Sequence, residues 1–140
     1  MSVLIAVTDD IAACQALRRA VFIEEQGVSA ADEVDGQDAE ATHLLATDAG
    51  QPVGTARLLT QGDFGKIGRV CVLASHRGRG LGAALIRASV AEFAKRPDLA
   101  KVKLGAQTHA LGFYERLGFT AVGPEYLDAG ILHRDMVLTL

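Results

Sequence analysis

The 140-residue sequence has few of the residues that mark specialised protein classes: two cysteines, no tryptophan, three prolines and 5 % aromatic residues. Cys14 and Cys71 are too few and too far apart for the disulfide framework of a small secreted domain, so we expect two buried free thiols in a reducing cytoplasm. A secretory signal is not expected, because the apolar run 3–7 is short and no basic residue precedes it. No apolar run approaches the roughly 18 residues that span a membrane.

An excess of basic charge is also absent. The net charge is −3, and we therefore expect no nucleic-acid partner, because binding to nucleic acid needs a strongly basic surface. The charge is unevenly divided along the chain. Residues 1–65 carry 3 basic and 11 acidic side chains, a net −8, whereas residues 66–140 carry 11 basic and 6 acidic ones, a net +5. Such a division suggests two partners of opposite charge.

The size and the apolar content of the chain predict one domain over residues 1–140, because a single core usually serves roughly 100 to 200 residues. The spacing of apolar residues predicts the order strand, helix, three strands, helix, strand, helix, strand, strand. The predicted strands are 2–7, 42–47, 52–60, 64–73, 102–106, 119–122 and 135–140, and the predicted helices are 11–26, 80–95 and 109–117. The acidic segment 28–40 is predicted to be a mobile loop with at most one helical turn.

This order of elements predicts the fold class. Three strands joined by short turns form an antiparallel meander, whereas a strand, a helix and a strand over residues 66–106 require a parallel pair. We therefore expect an α/β fold with a mixed, mostly antiparallel central sheet flanked by helices.

The most informative segment is the loop 77–82, Arg-Gly-Arg-Gly-Leu-Gly, which lies between a predicted strand and the strongest predicted helix. Glycines let the main chain approach a ligand closely, and the amide hydrogens at a helix N-terminus favour an anion. Arg77 and Arg79 can add charge-assisted hydrogen bonds. The loop therefore predicts a pyrophosphate-binding site, and a flexible turn with solvated arginines is the alternative.

Gly78, Gly80 and Ala83 also satisfy the dinucleotide-binding pattern GxGxxA. The context differs from that motif, because residues 74–77 separate the strand from the first glycine and the next predicted strand contains no acidic residue to hold a ribose. A Walker-type ATP site is not expected, since no GK[ST] triplet is present. A dinucleotide-dependent oxidoreductase stays as a third alternative.

Two stretches of the sequence resemble the GNAT superfamily of N-acetyltransferases. Arg77, Gly80 and Gly82 match its [QR]xxGx[GA] pattern. Residues 107–119 are similar to its NxxAxxFYxxLGF helix, with Gln107 in the place of the usual asparagine. Together with the predicted order of strands, the resemblance covers nearly the whole chain.

A narrower similarity, to the ElaA-like branch, rests on residues 21–27, His43 and residues 130–133. The resemblance implies a GNAT-like fold with the parallel strand pair at the acetyl-CoA site. It implies direct transfer of an acetyl group from acetyl-CoA, as co-substrate, to a primary amine within a ternary complex. A non-catalytic domain that binds or senses acyl-CoA is the alternative. No metal is expected, because the four histidines lack paired spacing.

The resemblance also implies which residues contact acetyl-CoA. They belong to the strand before the loop, to the loop itself and to the later motif: Val70, Cys71, Val72, Arg77, Gly78, Arg79, Gly80, Leu81, Gly82, Ala83, Gln107, Phe113 and Tyr114. The amide of Val72 is the expected oxyanion contact. Tyr114 is the expected general acid for the CoA thiolate, with a buried core tyrosine as the alternative.

The general base has several candidates. Some family members carry a glutamate near the start of the fourth strand, but residues 66–69 here are Lys-Ile-Gly-Arg. His133, Glu33, His43 and Glu125 are the candidates, the histidines because their unperturbed pKa lies near neutrality. A water chain, or an amine that arrives neutral, would make a base unnecessary.

The acceptor is expected to be a small-molecule or peptide amine that is positively charged, because the acidic half of the chain would border it. A polyamine, an aminoglycoside, an amino acid, a peptide N-terminus and a lysine side chain all fit this description. No membrane partner is expected. A homodimer is an open alternative, since the strand 135–140 could pair within the chain or across two copies.

Overall fold

Seven strands form one mixed sheet in the computed structural model, which describes residues 3–140. In chain order they are β1 (Val3–Thr8), β2 (Thr42–Asp48), β3 (Gln51–Gln61), β4 (Phe64–Val72), β5 (Lys101–Gln107), β6 (Thr120–Asp128) and β7 (Ile131–Thr139). Their spatial order is β1-β2-β3-β4-β5-β7-β6, and every neighbouring pair is antiparallel except β4 and β5. The predicted mixed, mostly antiparallel sheet is confirmed.

The α-helices of the described residues are α1 (Ile11–Arg18), α2 (Ala30–Glu33), α3 (Leu81–Ala94) and α4 (Leu111–Glu115). Short 3₁₀ turns cover Asp38–Glu40, Ala74–His76 and Thr108–Ala110. The apolar side chains of α1 and α3 belong to two separate buried clusters, so these two helices cover opposite faces of the sheet. None of the helices in residues 3–140 combines the length and the apolar character that a membrane crossing needs.

The first helix starts and stops where its sequence predicts. Asp10 caps it, because Asp10 Oδ1 accepts a hydrogen bond from the amide of Ala13 at 3.1 Å. The helical path continues beyond α1 as a π-helix, Arg19–Glu25, and ends before Gly27, which has a φ of 75°. The predicted extent of the first helix is confirmed, but its second half has π-helical instead of α-helical hydrogen bonds.

Glycine and its neighbours determine the hairpin between β2 and β3. Ala49 and Gly50 have φ of 50° and 83°, which gives a two-residue turn whose twist matches the flanking strands. Glycine is required at position 65 on β4 for a different reason, namely packing. An added Cβ would lie 2.5 Å from the ring of Phe93, which is fully buried on α3, so only glycine lets that helix pack here.

The C-terminal hairpin is longer than predicted. The predicted strands cover only 119–122 and 135–140, whereas residues 123–134 complete β6 and β7 around a two-residue turn at Ala129 and Gly130, with φ of 51° and 78°. The register shifts between Val122 and Tyr126, and the extra residues hide the alternation that would have predicted the strand. Strand β7 pairs with β5 on one edge and β6 on the other, so the strand 135–140 pairs within the chain.

Strand β4 diverges from its parallel neighbour. It pairs with β5 only over residues 64–67, while residues 68–72 pair with β3 alone. A β-bulge accompanies the divergence, because Arg69 and Val70 oppose the single residue Ala56, and Arg69 has a φ of 51°. The divergence opens the sheet between β4 and β5.

Candidate active site

A cleft of about 510 Å³ lies where β4 separates from β5. Side chains of β3 and β4 form its floor. One side is the segment from the π-helix to residue 37, and the opposite side consists of β5, α4 and the β6–β7 hairpin. We call residues 29–38, which include α2, the acidic wall.

Strand β4 turns main-chain groups towards this gap. The amide of Leu73 donates to the carbonyl oxygen of Val53 on β3 at 2.9 Å. Because successive amides along a strand point in opposite directions, the amide of Val72 points away from β3 and towards the gap. This is the direction that the predicted oxyanion contact needs. Val70 lines the cleft.

Cys71 points to the other side. It is 5 % exposed and packs with Leu17 and Val21 beneath the first helix. Burial raises the pKa of its thiol to about 12, so the thiol stays protonated near neutral pH and cannot serve as a nucleophile. Cys14 and Cys71 are both free and buried, as predicted. The contact of Cys71 with acetyl-CoA can therefore involve only its main chain.

The glycine-rich loop leads into the N-terminus of α3. Gly78 and Gly80 each have a φ of 77°, and an added Cβ at either position would meet no atom within 4 Å. The backbone conformation, and not a lack of space, therefore requires glycine. Leu81 is 4 % exposed and belongs to the core, so it can offer a ligand only its amide, whereas Gly82 and Ala83 are partly accessible.

Arg77 has other partners than the predicted pyrophosphate. Its Nε donates to the carbonyl oxygen of Val72 at 2.9 Å, and its Nη2 donates to Oε1 of Glu25 at 2.8 Å. The hydrogen bond to Glu25 raises the pKa of Arg77, and the same bond lowers the pKa of Glu25. Arg77 thus ties the loop to the π-helix. Arg79 is exposed on the same loop.

Tyr114 on α4 lines the cleft. Its ring packs edge-on against Phe113 and Phe119, with centroids 5.0 and 6.2 Å away. Burial raises the pKa of the phenol, and no side chain within residues 3–140 hydrogen-bonds its hydroxyl. A phenol that keeps its proton at neutral pH suits a proton donor. Gln107 also lines the cleft, with Oε1 2.7 Å from Nε2 of His109.

The structure separates the candidate bases. His43 and Glu125 do not line the cleft, and His43 is 3 % exposed with its Nε2 2.9 Å from the carbonyl oxygen of Asp38. Glu33 does line the cleft, but its Oε1 accepts from Nε of Arg18 at 2.6 Å. The charge of Glu33 is therefore committed to an ion pair.

His133 on β7 has the geometry of a base. It lines the cleft, and its Nδ1 lies 2.7 Å from the carbonyl oxygen of Ile131. A carbonyl only accepts, so Nδ1 carries the proton and Nε2 of the neutral ring keeps its lone pair. The ring stacks on Tyr126 with centroids 6.0 Å apart and planes at 24°. This stacking and the Nδ1 hydrogen bond fix the orientation of the imidazole.

Tyr126 and Asp135 were not predicted as site residues from the sequence. Tyr126 Oη donates to Oδ1 of Asp135 at 2.6 Å, and burial together with this carboxylate raises the pKa of the phenol. An added Cβ at Gly105 would lie 2.5 Å from Tyr126 Oη, so glycine in β5 makes room for this side chain. A glycine inside a predicted strand marks such a close approach and was the available signal.

Arginines pair with the carboxylates of the acidic wall, which lies within the predicted loop 28–40. Arg18 pairs with Glu33 and Asp38, Arg57 pairs with Asp35 and Asp38, and Arg69 pairs with Asp35 at 3.3 Å and lies 4.0 Å from Glu33. Arg57 lowers the pKa of Asp35 to about 2, and Arg18 and Gln15 hold that of Asp38 below its usual range although burial opposes them.

No three side chains that could ligate a metal lie together in the part of the chain that the structure describes. The sequence-predicted site residues that do meet in one cleft are Val70, Gln107, Tyr114, His133 and Glu33. The glycine-rich loop lies outside the lining of this cleft, at the start of α3.

Comparison with known proteins agrees with this geometry. The family model described as "Acetyltransferase (GNAT) domain" matches residues 8–140. The chain is 37 % identical over 122 residues to the Bacillus subtilis protein named "Uncharacterized N-acetyltransferase YjcF", covering 86 % of each chain. The crystal structure of Escherichia coli ElaA is similar with a TM-score of 0.86 and 28 % identity, covering 97 % of this chain and 99 % of that one. A GNAT family acetyltransferase from Elizabethkingia anophelis with acetyl-CoA bound shares the fold, with a TM-score of 0.72 and 18 % identity over 99 % of each chain.

Proposed function

Because the chain belongs to the GNAT acetyltransferase family, we propose that it transfers an acetyl group from acetyl-CoA to a primary amine by direct attack within a ternary complex. One observation carries the proposal. The divergence of β4 from β5 directs the Val72 amide into the gap and leaves Tyr114 and His133 lining one cleft. A donor for the developing oxyanion, a proton donor and a proton acceptor are the groups that acyl transfer to an amine needs.

Main-chain groups are proposed to hold acetyl-CoA. The strand residues Val70 and Val72 face the acyl and pantetheine arm, and the amides at the start of α3 face the pyrophosphate. The positive φ of Gly78 and Gly80 fits this role, because the loop leaves its backbone uncovered by side chains. Arg77 acts here by positioning the loop through its bonds to Val72 and Glu25.

The proposed reaction moves two protons. The amine must attack as a neutral nucleophile, and Nε2 of His133 accepts the proton that the nitrogen loses as the new C–N bond forms. The Val72 amide stabilises the charge on the carbonyl oxygen. As the C–S bond breaks, Tyr114 donates its phenolic proton to the departing sulfur. His133 gains one proton and Tyr114 loses one, so solvent must return both to their starting states before the next turnover.

The acceptor is proposed to be a positively charged small-molecule or peptide amine, with support from two side chains. Asp32 and Asp128 line the cleft, and neither carboxylate has a hydrogen bond or an ion pair with another side chain of residues 3–140. Lys66, which also lines the cleft, offsets part of this negative charge. The attraction is therefore weaker than the net charge of the acidic half of the sequence suggests, because Glu33 and Asp35 are paired with arginines.

The decisive experiment measures the release of free CoA thiol with a panel of amines: spermidine, kanamycin, lysine and a short peptide with a free N-terminus. We expect thiol release with at least one amine. Heat of acetyl-CoA binding without thiol release from any amine would favour the non-catalytic sensing domain instead.

The oxidoreductase alternative is tested by titration with NAD. The mostly antiparallel sheet differs from the doubly wound parallel sheet of dinucleotide-binding folds, and the 3₁₀ turn Ala74–His76 separates β4 from the glycines. We expect heat with acetyl-CoA and none with NAD. The reverse result would overturn the proposed function. The two free thiols support the further proposal that the protein works in a reducing compartment.

A further inference from the structure

Arg69 stands where β4 leaves β5. Its φ of 51° is unusual for a residue other than glycine, and the strand bulges at this position. The last pair between β4 and β5 joins Ile67 and Leu104, two residues earlier. Arg69 therefore occupies the bend that opens the cleft, three residues before Val72.

The side chain of Arg69 reaches the main chain of the acidic wall. Its Nη2 donates to the carbonyl oxygen of Asp32 at 3.2 Å, to that of Glu33 at 3.1 Å and to Oδ2 of Asp35 at 3.3 Å. Arg18 and Arg57 bind the same wall, but they bind its carboxylates. Within residues 3–140, Arg69 is thus the arginine that fixes both the backbone and a side chain of the wall.

We propose that Arg69 is a positioning residue that fixes the acidic wall, and with it the acceptor, relative to the bulged strand that carries the Val72 amide. The proposal rests on the proposed function, because it assigns the wall to the acceptor. The attacking nitrogen must come within about 3 to 3.5 Å of the acetyl carbon, and small misplacements are costly in rate. One side chain that joins the wall to β4 would set this distance.

Three substitutions at Arg69 distinguish the effect of its side chain from the effect of its backbone conformation. Arg69→Gly removes the hydrogen bonds but tolerates the positive φ, whereas Arg69→Ala removes them and keeps the backbone unfavourable. Arg69→Lys keeps a single donor group that can reach part of the same set of oxygens. The control is Arg96→Ala. Arg96 also donates across the fold, to Thr60 Oγ1 at 2.7 Å and Thr42 Oγ1 at 3.2 Å, but it does not line the cleft.

The measurements are the KM for the most active amine of the panel, kcat, the acetyl-CoA Kd and hydrogen exchange of the wall amides. For Arg69→Gly we expect an acceptor KM raised by about tenfold, an acetyl-CoA Kd within about twofold of wild type, and faster exchange over residues 29–38. Arg69→Lys should give values between those of wild type and Arg69→Gly, and Arg96→Ala should match wild type. Melting temperatures establish that each variant is folded. If Arg69→Gly and Arg69→Ala do not fold, the test rests on Arg69→Lys.

Two results would overturn the proposal. An unchanged acceptor KM with unchanged exchange would show that Arg69 does not hold the wall. A lower kcat with a weaker acetyl-CoA Kd and an unchanged acceptor KM would show that Arg69 serves the acetyl-CoA side only. If no amine of the panel is acetylated, the proposed function fails by itself. The exchange measurement then still decides whether Arg69 fixes the wall, because it needs no turnover.

Discussion

The two sides of the cleft differ in the kind of chemical group that they offer to a ligand. The proposed acetyl-CoA side offers main-chain groups, namely the amide of Val72 and the amides after Gly80 at the start of α3. The proposed acceptor side offers side chains, with the acidic wall on one flank and Tyr126 and His133 on the other. A main-chain site depends on backbone geometry, whereas a side-chain site depends on which residues happen to face each other.

This difference bears on specificity. Every amide offers the same donor, so a main-chain site can recognise the same co-substrate through many sequences. The acceptor side depends on ion pairs and ring contacts such as that between Tyr126 and His133, which a single substitution can change. We infer that a single substitution alters acceptor binding more readily than co-substrate binding.

Removal of the proposed base should have the largest effect on the acceptor side. For His133→Ala we expect kcat/KM to fall by about 100-fold at pH 7, in line with the usual contribution of a general base. The deficit should narrow at high pH, because hydroxide can then accept the proton that the attacking nitrogen loses. A pH profile of kcat/KM for both proteins measures this. A deficit that stays constant up to pH 9.5 would assign His133 a packing role.

The proposed acid lies where the two sides meet and should affect turnover alone. Tyr114→Phe keeps the ring contacts with Phe113 and Phe119 and removes only the hydroxyl. We expect kcat to fall by about 100-fold, with an acetyl-CoA Kd within about twofold. Steady-state kinetics and calorimetry provide the two values. Equal turnover in both proteins would mean that Tyr114 is a core tyrosine, and Phe119→Leu controls for loosened packing around Tyr114.

Local patterns were sufficient to predict most of the fold and the position of the glycine-rich loop. Glycines at turns, alternation in the meander and helical spacing act over a few residues, so they can be read without knowledge of the tertiary structure. Gly78 and Gly80 illustrate this, since a positive φ is a local requirement. The C-terminal hairpin escaped prediction because its bulge breaks the local alternation.

The acceptor side could not be predicted in the same way. Arg69 and the carbonyl oxygen of Glu33 are 36 residues apart in sequence, and Arg57 and Asp35 are 22 apart. Which arginine meets which carboxylate depends on the register of β3 and β4 and on the bulge at Arg69, all of which are tertiary. The choice of His133 over His43 likewise needed the position of β7 beside β5.

The main-chain side can be tested through its backbone. Gly80→Ala places a side chain at a φ of 77°, a conformation that costs roughly 1 to 2 kcal/mol outside glycine. We expect the acetyl-CoA Kd to rise by about tenfold, the equivalent of 1.4 kcal/mol, with an unchanged acceptor KM. Gly112→Ala is the control, because Gly112 lies within α4 and an added Cβ would make only an ordinary 3.9 Å contact with Arg116. Equal Kd values for the two variants would contradict the role of the left-handed backbone.

The ion pairs of the acidic wall can be tested through the stability of the protein at low pH. Asp35 has a pKa lowered to about 2 from 3.8 by its hydrogen bonds to Arg57. A carboxyl group whose pKa is lower in the folded state contributes stability above its unfolded pKa and loses it as the pH falls towards the folded pKa. The carboxylate is partly exposed, so we expect the loss between pH 6 and pH 3 to be about 1 kcal/mol.

Urea unfolding of wild type and Asp35→Asn at both pH values isolates this contribution. The two proteins should differ in free energy of unfolding at pH 6, and the difference should shrink by about 1 kcal/mol at pH 3, because the unfolded wild-type chain then protonates Asp35 while the folded protein keeps it largely ionised. Asp98→Asn, at an exposed carboxyl group without an ion pair in the described chain, should show no such convergence. A difference that does not change with pH would mean that the acidic wall is held by Arg18 and Arg69 without help from the charge of Asp35. Both sides of the cleft would then depend on main-chain atoms, because the hydrogen bonds from Arg69 to the wall are accepted by the carbonyl oxygens of Asp32 and Glu33.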